Sequence, residues 1–258
     1  MPSLNINYIK ILGCGSSQGV PKIDGSWGQC KKNSKNNRTR CSIYIKVNDL
    51  NFIIDTSPDL RQQFIKNKIR NIDFALFTHA HADHILGINE LRTFFIKNKK
   101  KVDIYSTDKT QKTLKKIFKY LFINQKNYPA ILKGRIIKDR IKIKNKVNIK
   151  IINVTHGDMP TVGYRINNFA YIPDFKVIEK NEIKKLKNLD VLIIDCFRFE
   201  PHYSHVNFEE SMQYIKKINP KKTFLTNLNH NVDYHQILKK INTSSIRPCY
   251  DGLKIKIK

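Results

Sequence analysis

Acidic residues are scarce in this chain of 258 residues, where 21 Asp and Glu face 48 Lys and Arg. No apolar run approaches the roughly 18–20 residues that a bilayer-spanning helix needs, so no membrane partner is expected. The opening Met1 to Lys10 lacks the charged-then-apolar layout of a signal peptide. The five cysteines, at 14, 30, 41, 196 and 249, are odd in number, scattered, and form no Cys-x-x-Cys pair. That excludes a secreted disulfide framework. No Pro/Gly/Ser-rich linker and no internal repeat divides the chain. These absences predict a single α/β domain over 1–258 and a cytoplasmic location.

What is present is a hydrophobic content of 40% with 10% aromatics, which excludes a disordered chain. The net charge of +27 invites a nucleic-acid reading, because neutralising phosphates is the main source of non-specific affinity. Lysines, however, number 38 against 10 arginines, and Asn (26) and Ile (38) are in excess as well. These three residues share A/T-rich codons, so compositional drift explains their excesses together. Nucleic acid is therefore a secondary expectation, behind a small anionic substrate drawn in by the positive field. The oligomeric state stays open, with a dimer among the options.

Apolar runs and amphipathic stretches alternate along the chain. Strands are expected at Tyr8–Leu12, Cys41–Val47, Phe52–Asp55, Phe74–Phe77, Val102–Tyr105, Val147–Val154, Val162–Ile166, Phe169–Ile172, Val191–Asp195 and Thr223–Leu225. Helices are expected at Leu60–Lys66, Gly87–Ile96, Lys109–Phe122, Glu182–Leu186, Phe208–Ile218 and Tyr234–Ile241. Such alternation indicates a layered α/β domain. The Lys-rich tract 97–150 reads as an insertion or a loosely packed cover.

The strongest chemical signal is Thr78-His79-Ala80-His81-Ala82-Asp83-His84, directly after the apolar run Phe74-Ala75-Leu76-Phe77. Unpaired polar groups at the end of a buried strand are costly, so this density asks for a chemical role. On an extended segment His79 and His81 share one side, while Asp83 and His84 turn toward a second point as a helix begins. That arrangement suits two adjacent metal ions.

His79-x-His81-x-Asp83-His84 resembles the signature of the metallo-β-lactamase superfamily. Gly13-Cys14-Gly15-Ser16-Ser17-Gln18-Gly19-Val20-Pro21 resembles the opening of its phosphoribosyl cyclic phosphodiesterase branch. Ile54-Asp55-Thr56, Thr155-His156-Gly157-Asp158 and Tyr171-Ile172-Pro173-Asp174 resemble later motifs of the family, in the expected order. His205-Val206-Asn207 is similar to the segment that supplies a catalytic histidine in ribonuclease Z and its relatives. The resemblance implies a four-layer αββα sandwich. It places His79, His81 and His156 around a first divalent ion and Asp83 and His84 at a second, with Asp174 bridging. Zinc is the foremost candidate, with manganese and iron admitted. It also implies His205 as a general acid and Asp55 as the partner that orients a ligating imidazole, although Asp55 could instead cap the helix after Pro58, a place that Asp59 fits better.

The chain departs from the family near its end. Leu225-Thr226-Asn227-Leu228-Asn229-His230 has asparagine where relatives often carry a final histidine. His230 is the expected last ligand, with Asn227 as an oxygen ligand, or an incomplete second site, as the alternatives. Ser16 and Ser17, in a loop whose N–H groups suit an anion, Arg40, and His202 are expected to meet substrate. The compact cysteine cluster of the phosphodiesterase branch is missing, so no structural zinc is expected. The resemblance thus implies a hydrolase that cleaves a small cyclic or nucleotide-like phosphodiester with a metal-activated hydroxide. Ribonuclease Z-like tRNA processing ranks second, because the stretch between Asp174 and His205 is too short for that enzyme's RNA-gripping arm. A non-catalytic nucleic-acid-binding protein is the contrasting reading, and β-lactam hydrolysis is disfavoured.

Overall fold

In a computed structural model that describes residues 6–144 and 147–257, the apolar runs assemble into two stacked seven-stranded sheets among the described residues. The opening segment and the Lys-rich tract thus lie partly outside the described residues. The first sheet runs from edge to edge as Lys254–Ile255 (β14), Ile6–Gly13 (β1), Ser42–Val47 (β2), Leu50–Ile54 (β3), Phe74–Leu76 (β4), Val102–Ser106 (β5) and Leu132–Ile136 (β6). The second runs Ile246–Pro248 (β13), Lys222–Thr226 (β12), Val191–Asp195 (β11), Phe169–Ile172 (β10), Thr161–Ile166 (β9), Val147–Val154 (β8) and Arg140–Ile143 (β7). In each sheet an antiparallel part continues into a parallel one, from β3 to β6 and from β10 to β13.

The core between the sheets is built from inward side chains of both, with Phe52 stacked on Phe74 at 4.5 Å and Ile149, Ile151, Tyr164 and Tyr171 facing them. Burial on both faces explains why Val191-Leu192-Ile193-Ile194 shows no alternation. Outside the first sheet lie α1 (Leu60–Lys66), a 3₁₀ turn (Leu86–Leu91), α3 (Arg92–Asn98), α4 (Asp108–Ile117) and α5 (Lys119–Phe122). They bury Phe64, Leu91, Phe94, Leu114 and Leu121 against it. A short helix, α2 (Ala82–Ile85), precedes the 3₁₀ turn. The second sheet is covered by α6 (Lys180–Lys184), α7 (Phe208–Ile218) and α8 (Tyr234–Lys240), through Phe208, Ile215, Ile218 and Ile237. Asn207 and Glu210 form a capping box at the start of α7. The result is an αββα sandwich.

Three expectations need correction. The Lys-rich tract is no loose cover: β5 and β6 extend the first sheet, and β7 and β8 extend the second. Its lysines stand outward, as Lys142 and Lys150 do, while Ile143, Ile149 and Ile151 point into the core. The helix expected over Lys109–Phe122 breaks at Phe118, whose φ of −111° and ψ of 37° leave the helical region. The helix expected over Gly87–Ile96 is a 3₁₀ turn followed by α3. Among the described residues no helix is long and apolar enough to cross a membrane.

Parallel pairing gathers the loops that leave β3, β4, β10, β11 and β12 at one end of the sandwich, and β8, two antiparallel steps from β10, runs the same way and ends there too. Asp55, His79, His156, Asp174, Asp195 and Asn227 all sit there, at or just beyond the ends of those strands.

Candidate metal centre

Asp55 organises the deepest part of the site. It leaves β3 in the left-handed region, with φ of 64°, and is fully buried. Its Oδ1 accepts from the Thr78 N–H at 2.8 Å, and its Oδ2 accepts from the Thr78 hydroxyl at 2.8 Å. The hydroxyl proton is thereby committed, so Thr78 Oγ1 accepts from His79 Nδ1 at 2.9 Å. His84 Nδ1 also meets Asp55 Oδ2 at 2.8 Å, and His156 Nδ1 donates to the Ser204 carbonyl at 2.8 Å. Each of these three imidazoles therefore carries a proton on Nδ1 and turns its Nε2 inward, bare in the neutral form that binds a metal.

Those bare nitrogens converge. His81 Nδ1 lies 3.0 Å from His79 Nε2 and 3.3 Å from His156 Nε2. His84 Nε2 lies 3.0 Å from Asp174 Oδ2, an oxygen that is buried and takes no hydrogen bond. Lone pairs and carboxylate oxygens at such distances repel one another unless a proton or a metal cation stands among them. Three tight groups result: His79/His81/His156, His79/His84/Asp174 and His156/Asp174/His205. The donor set, imidazole with carboxylate, fits one or more divalent ions such as zinc.

Electrostatics follow from burial and proximity. Burial holds the His79, His81 and His156 pKa values down, keeping these imidazoles neutral as a ligand must be. His84 is pushed well up: burial opposes its charge, but Asp174, Asp83 and Asp55 around it prevail. Burial alone would raise Asp174, yet the adjacent His84 holds its carboxyl well below the usual carboxylate range. Asp83, in the first turn of α2, has its Oδ2 3.4 Å from His84 Nε2 and is lowered by it against burial.

Asp195 is the residue that the sequence reading passed over. It ends β11 fully buried, and its Oδ2 lies 2.9 Å from His205 Nδ1. Burial pushes its pKa up to about 7. His205 in turn is raised, because Asp195 and Asp174 outweigh the effect of burial. An aspartate closing an apolar strand was the available signal, the same one that marks Asp55. Asn227, with φ of 60°, donates its amide to Asp174 Oδ1 at 2.9 Å and Asp195 Oδ1 at 3.1 Å. It spaces the two carboxylates and turns its amide nitrogen, which cannot bind a cation, toward Asp174.

His230 is not brought to the centre, which corrects the expectation that it completes the ligand set. The backbone N–H groups of Leu228 and Asn229 bond to the Cys14 and Phe197 carbonyls, at 2.9 and 3.0 Å, and carry the chain past the site. The His230 ring instead packs on Gly28, where a Cβ would lie 2.5 Å from Cδ2. Arg40 is likewise turned away: its Nε lies 3.1 Å from Asp59 Oδ2. Asp59, expected as a helix cap, makes no capping bond and serves Arg40. Ser16 is buried in the glycine-rich turn, where its carbonyl accepts from Gly19 N–H at 2.8 Å. Arg38 is buried too, bonded to the Asn229 carbonyl at 3.1 Å and Asn36 at 2.9 Å. Ser17 and His202 do reach the pocket. It has a volume of about 420 Å³ and is also lined by His81, Asp83, Asp174, His205 and Asn227.

Residues 50–226 match the beta-lactamase superfamily domain. A protein of Porphyromonas gingivalis named octanoyltransferase is 31% identical over 252 residues, which are 95% of this chain and 50% of that protein. Ribonuclease Z of Methanocaldococcus jannaschii is 28% identical over 165 residues, 61% of this chain and 49% of that protein. The chain thus spans about half the length of the curated relatives it matches. The crystal structure of a diphosphatase from the PhnP family superposes with a TM-score of 0.89 at 29% identity, covering 97% of this chain and 98% of that one. Human tRNase Z, short form, superposes with a TM-score of 0.72 at 14% identity over 97% and 99% of the two chains, a likeness of fold alone. With its domain match, its sandwich and its strand-end cluster of imidazoles and carboxylates, the chain belongs to the beta-lactamase superfamily and has the metallo-β-lactamase fold.

Proposed function

We propose that this chain hydrolyses a phosphodiester in a small cyclic or nucleotide-like phosphate ester, using two divalent ions. The observation that carries the reading is the position of Asp174, shared by the His79/His84 group and the His156/His205 group. When bound, two such ions supply positive charge beside both the attacking and the leaving oxygen of a phosphoryl displacement. His79, His81 and His156 would hold one of them, and His84 and Asp83 the other, with Asp174 between. Asp55 and the Ser204 carbonyl hold the Nδ1 protons and turn Nε2 toward the ions, and His84, whose pKa the surrounding carboxylates raise, gives up its Nε2 proton on loading. His205 presents Nδ1–H to Asp195, which leaves Nε2 as the atom that passes a proton to the departing alkoxide.

The octanoyltransferase name belongs to a protein twice as long, and acyl transfer gains no support from the pocket. All five cysteines are buried, and the pocket lining contains neither cysteine nor lysine. tRNA processing is the second reading, supported by the ribonuclease Z relative and the net charge of +27.

The test is turnover of a nucleoside 2′,3′-cyclic phosphate, a linear diester, a monoester and a precursor tRNA. Each is offered to chain stripped of metal and reloaded with zinc or manganese. Metal-dependent cleavage of the small diesters is expected. Preferred cleavage of the tRNA at its 3′ end would promote the second reading, and no metal-dependent hydrolysis of any ester would overturn both.

A further inference from the structure

Beside the ligand cluster the pocket wall changes character. Phe197 lies flat against the His205 ring, at 4.5 Å and 15°, and His202 tilts onto Phe197 at 4.8 Å. Tyr203 stacks on His202 at 4.5 Å and 30°. All four rings line the same pocket, so a ladder of flat faces climbs from the reaction centre to the rim. At its top Tyr203 is 83% exposed.

The ladder is held before any ligand arrives. Phe197 N–H bonds to the Val206 carbonyl at 3.1 Å, and Phe208 N–H bonds to the Arg198 carbonyl at 2.9 Å, closing the base of the loop. Arg198 spans the loop from within, donating to the Glu200 and Pro201 carbonyls. Ser204 N–H donates to His202 Nδ1 at 3.3 Å, which fixes that ring and leaves its Nε2–H as a donor. An aromatic group kept exposed at a pocket mouth, on a loop tied down at its base, is arranged as a contact surface. A merely structural ring would be covered.

We propose that Phe197, His202 and Tyr203 form a stacking platform for a planar ring on the substrate's alcohol side, making the substrate class a nucleotide. This rests on the phosphoester reading above and adds to it what the non-reacting part of the ester is. The phosphate sits at the imidazole–carboxylate cluster, and the base lies on the bare face of Tyr203, with His202 Nε2–H as a hydrogen-bond donor to its edge. Any base has a π-face, so the platform selects for a ring more than for one particular base.

The test uses binding, so that it stands apart from hydrolysis. Titration calorimetry on the zinc-loaded chain compares adenosine 5′-monophosphate with ribose 5-phosphate, which differ only in the base. The nucleotide is expected to bind about ten-fold more tightly, within the range of one base–aromatic stack. Tyr203→Ala should bring the ratio of the two dissociation constants close to one, and Tyr203→Phe should keep it. Equal affinities in the unaltered chain, absence of binding by both, or a ratio untouched by Tyr203→Ala would each overturn the platform. A chain that shows the expected ratios but cleaves no ester keeps the platform and loses the reaction instead.

Discussion

His205 Nδ1 and Asp195 Oδ2 lie 2.9 Å apart at the wall of the pocket, with Asn227 bonded to the same aspartate through its other oxygen at 3.1 Å. A buried carboxylate on one nitrogen of an imidazole fixes its tautomer and supports its protonated form. That is what a general acid requires of its partner. His205→Ala should therefore keep the metals and lose about 10²–10⁴ in rate on an alkyl or ribose ester. A nitrophenolate departs without help, so the loss on a nitrophenyl ester should be far smaller. Asp195→Asn should follow the same pattern more weakly. Equal losses on both esters would remove the acid role, and loss of metal would make His205 a ligand.

Asp55 holds Thr78 and His84, and through Thr78 it also sets the tautomer of His79. Asp55→Asn replaces one acceptor oxygen by an amide that cannot accept from either donor. Metal affinity should fall about 10–100-fold while the fold remains. Competition with a chromophoric chelator measures it, and unchanged affinity would show that the ligands orient themselves.

Gly87 supports the same region from below. A Cβ there would stand 2.1 Å from the Ser57 carbonyl oxygen, and backbone cannot yield as a flexible side chain does. Gly87→Ala should cost about 1–3 kcal/mol, read as a fall of the thermal midpoint by roughly 2–4 °C per kcal/mol. An unchanged midpoint would mean that the 3₁₀ turn relaxes freely.

Asp251 gives the chain a stability slope in acid. Its carboxylate accepts from Thr39 N–H and hydroxyl, both at 2.7 Å, and from Cys14 N–H at 3.1 Å. Burial pushes its pKa up to about 6 against those bonds. The folded chain thus binds this proton more tightly than the unfolded chain does. The associated stability is present below about pH 4 and is lost as pH rises through about 6, some 2–3 kcal/mol in all. Asp251→Asn should remove that slope in denaturant titrations. It should also lower stability at every pH, because an amide nitrogen would face a backbone N–H. A slope that persists in the variant would assign it to another group.

Much of this was legible because strand ends carry the chemistry. His79, His81 and His84 follow an apolar run directly, and Asp55 and Asp174 each close one, so sequence order alone puts them near one sheet edge. Asp195 follows the same rule, yet with no histidine beside it in sequence its partner His205 is visible only after folding. His230 misled because spacing cannot register that Leu228 and Asn229 are bonded to Cys14 and Phe197. The edge strands β6, β7, β13 and β14 are short, and each carries at least one exposed lysine or arginine. Such a pattern reads equally well as a loop. The break of the long helix at Phe118 is a tertiary effect, since Phe118 turns into the core beside Leu114 and Leu121.

The most direct measurement is the metal content of the purified chain, followed by calorimetric titration of the stripped protein with zinc. The convergence of bare imidazole nitrogens on Asp174 predicts two ions per chain in unequal sites, the weaker one lost in Asp83→Ala while the tighter remains. Fewer than one ion per chain, with no uptake on titration, would contradict the account.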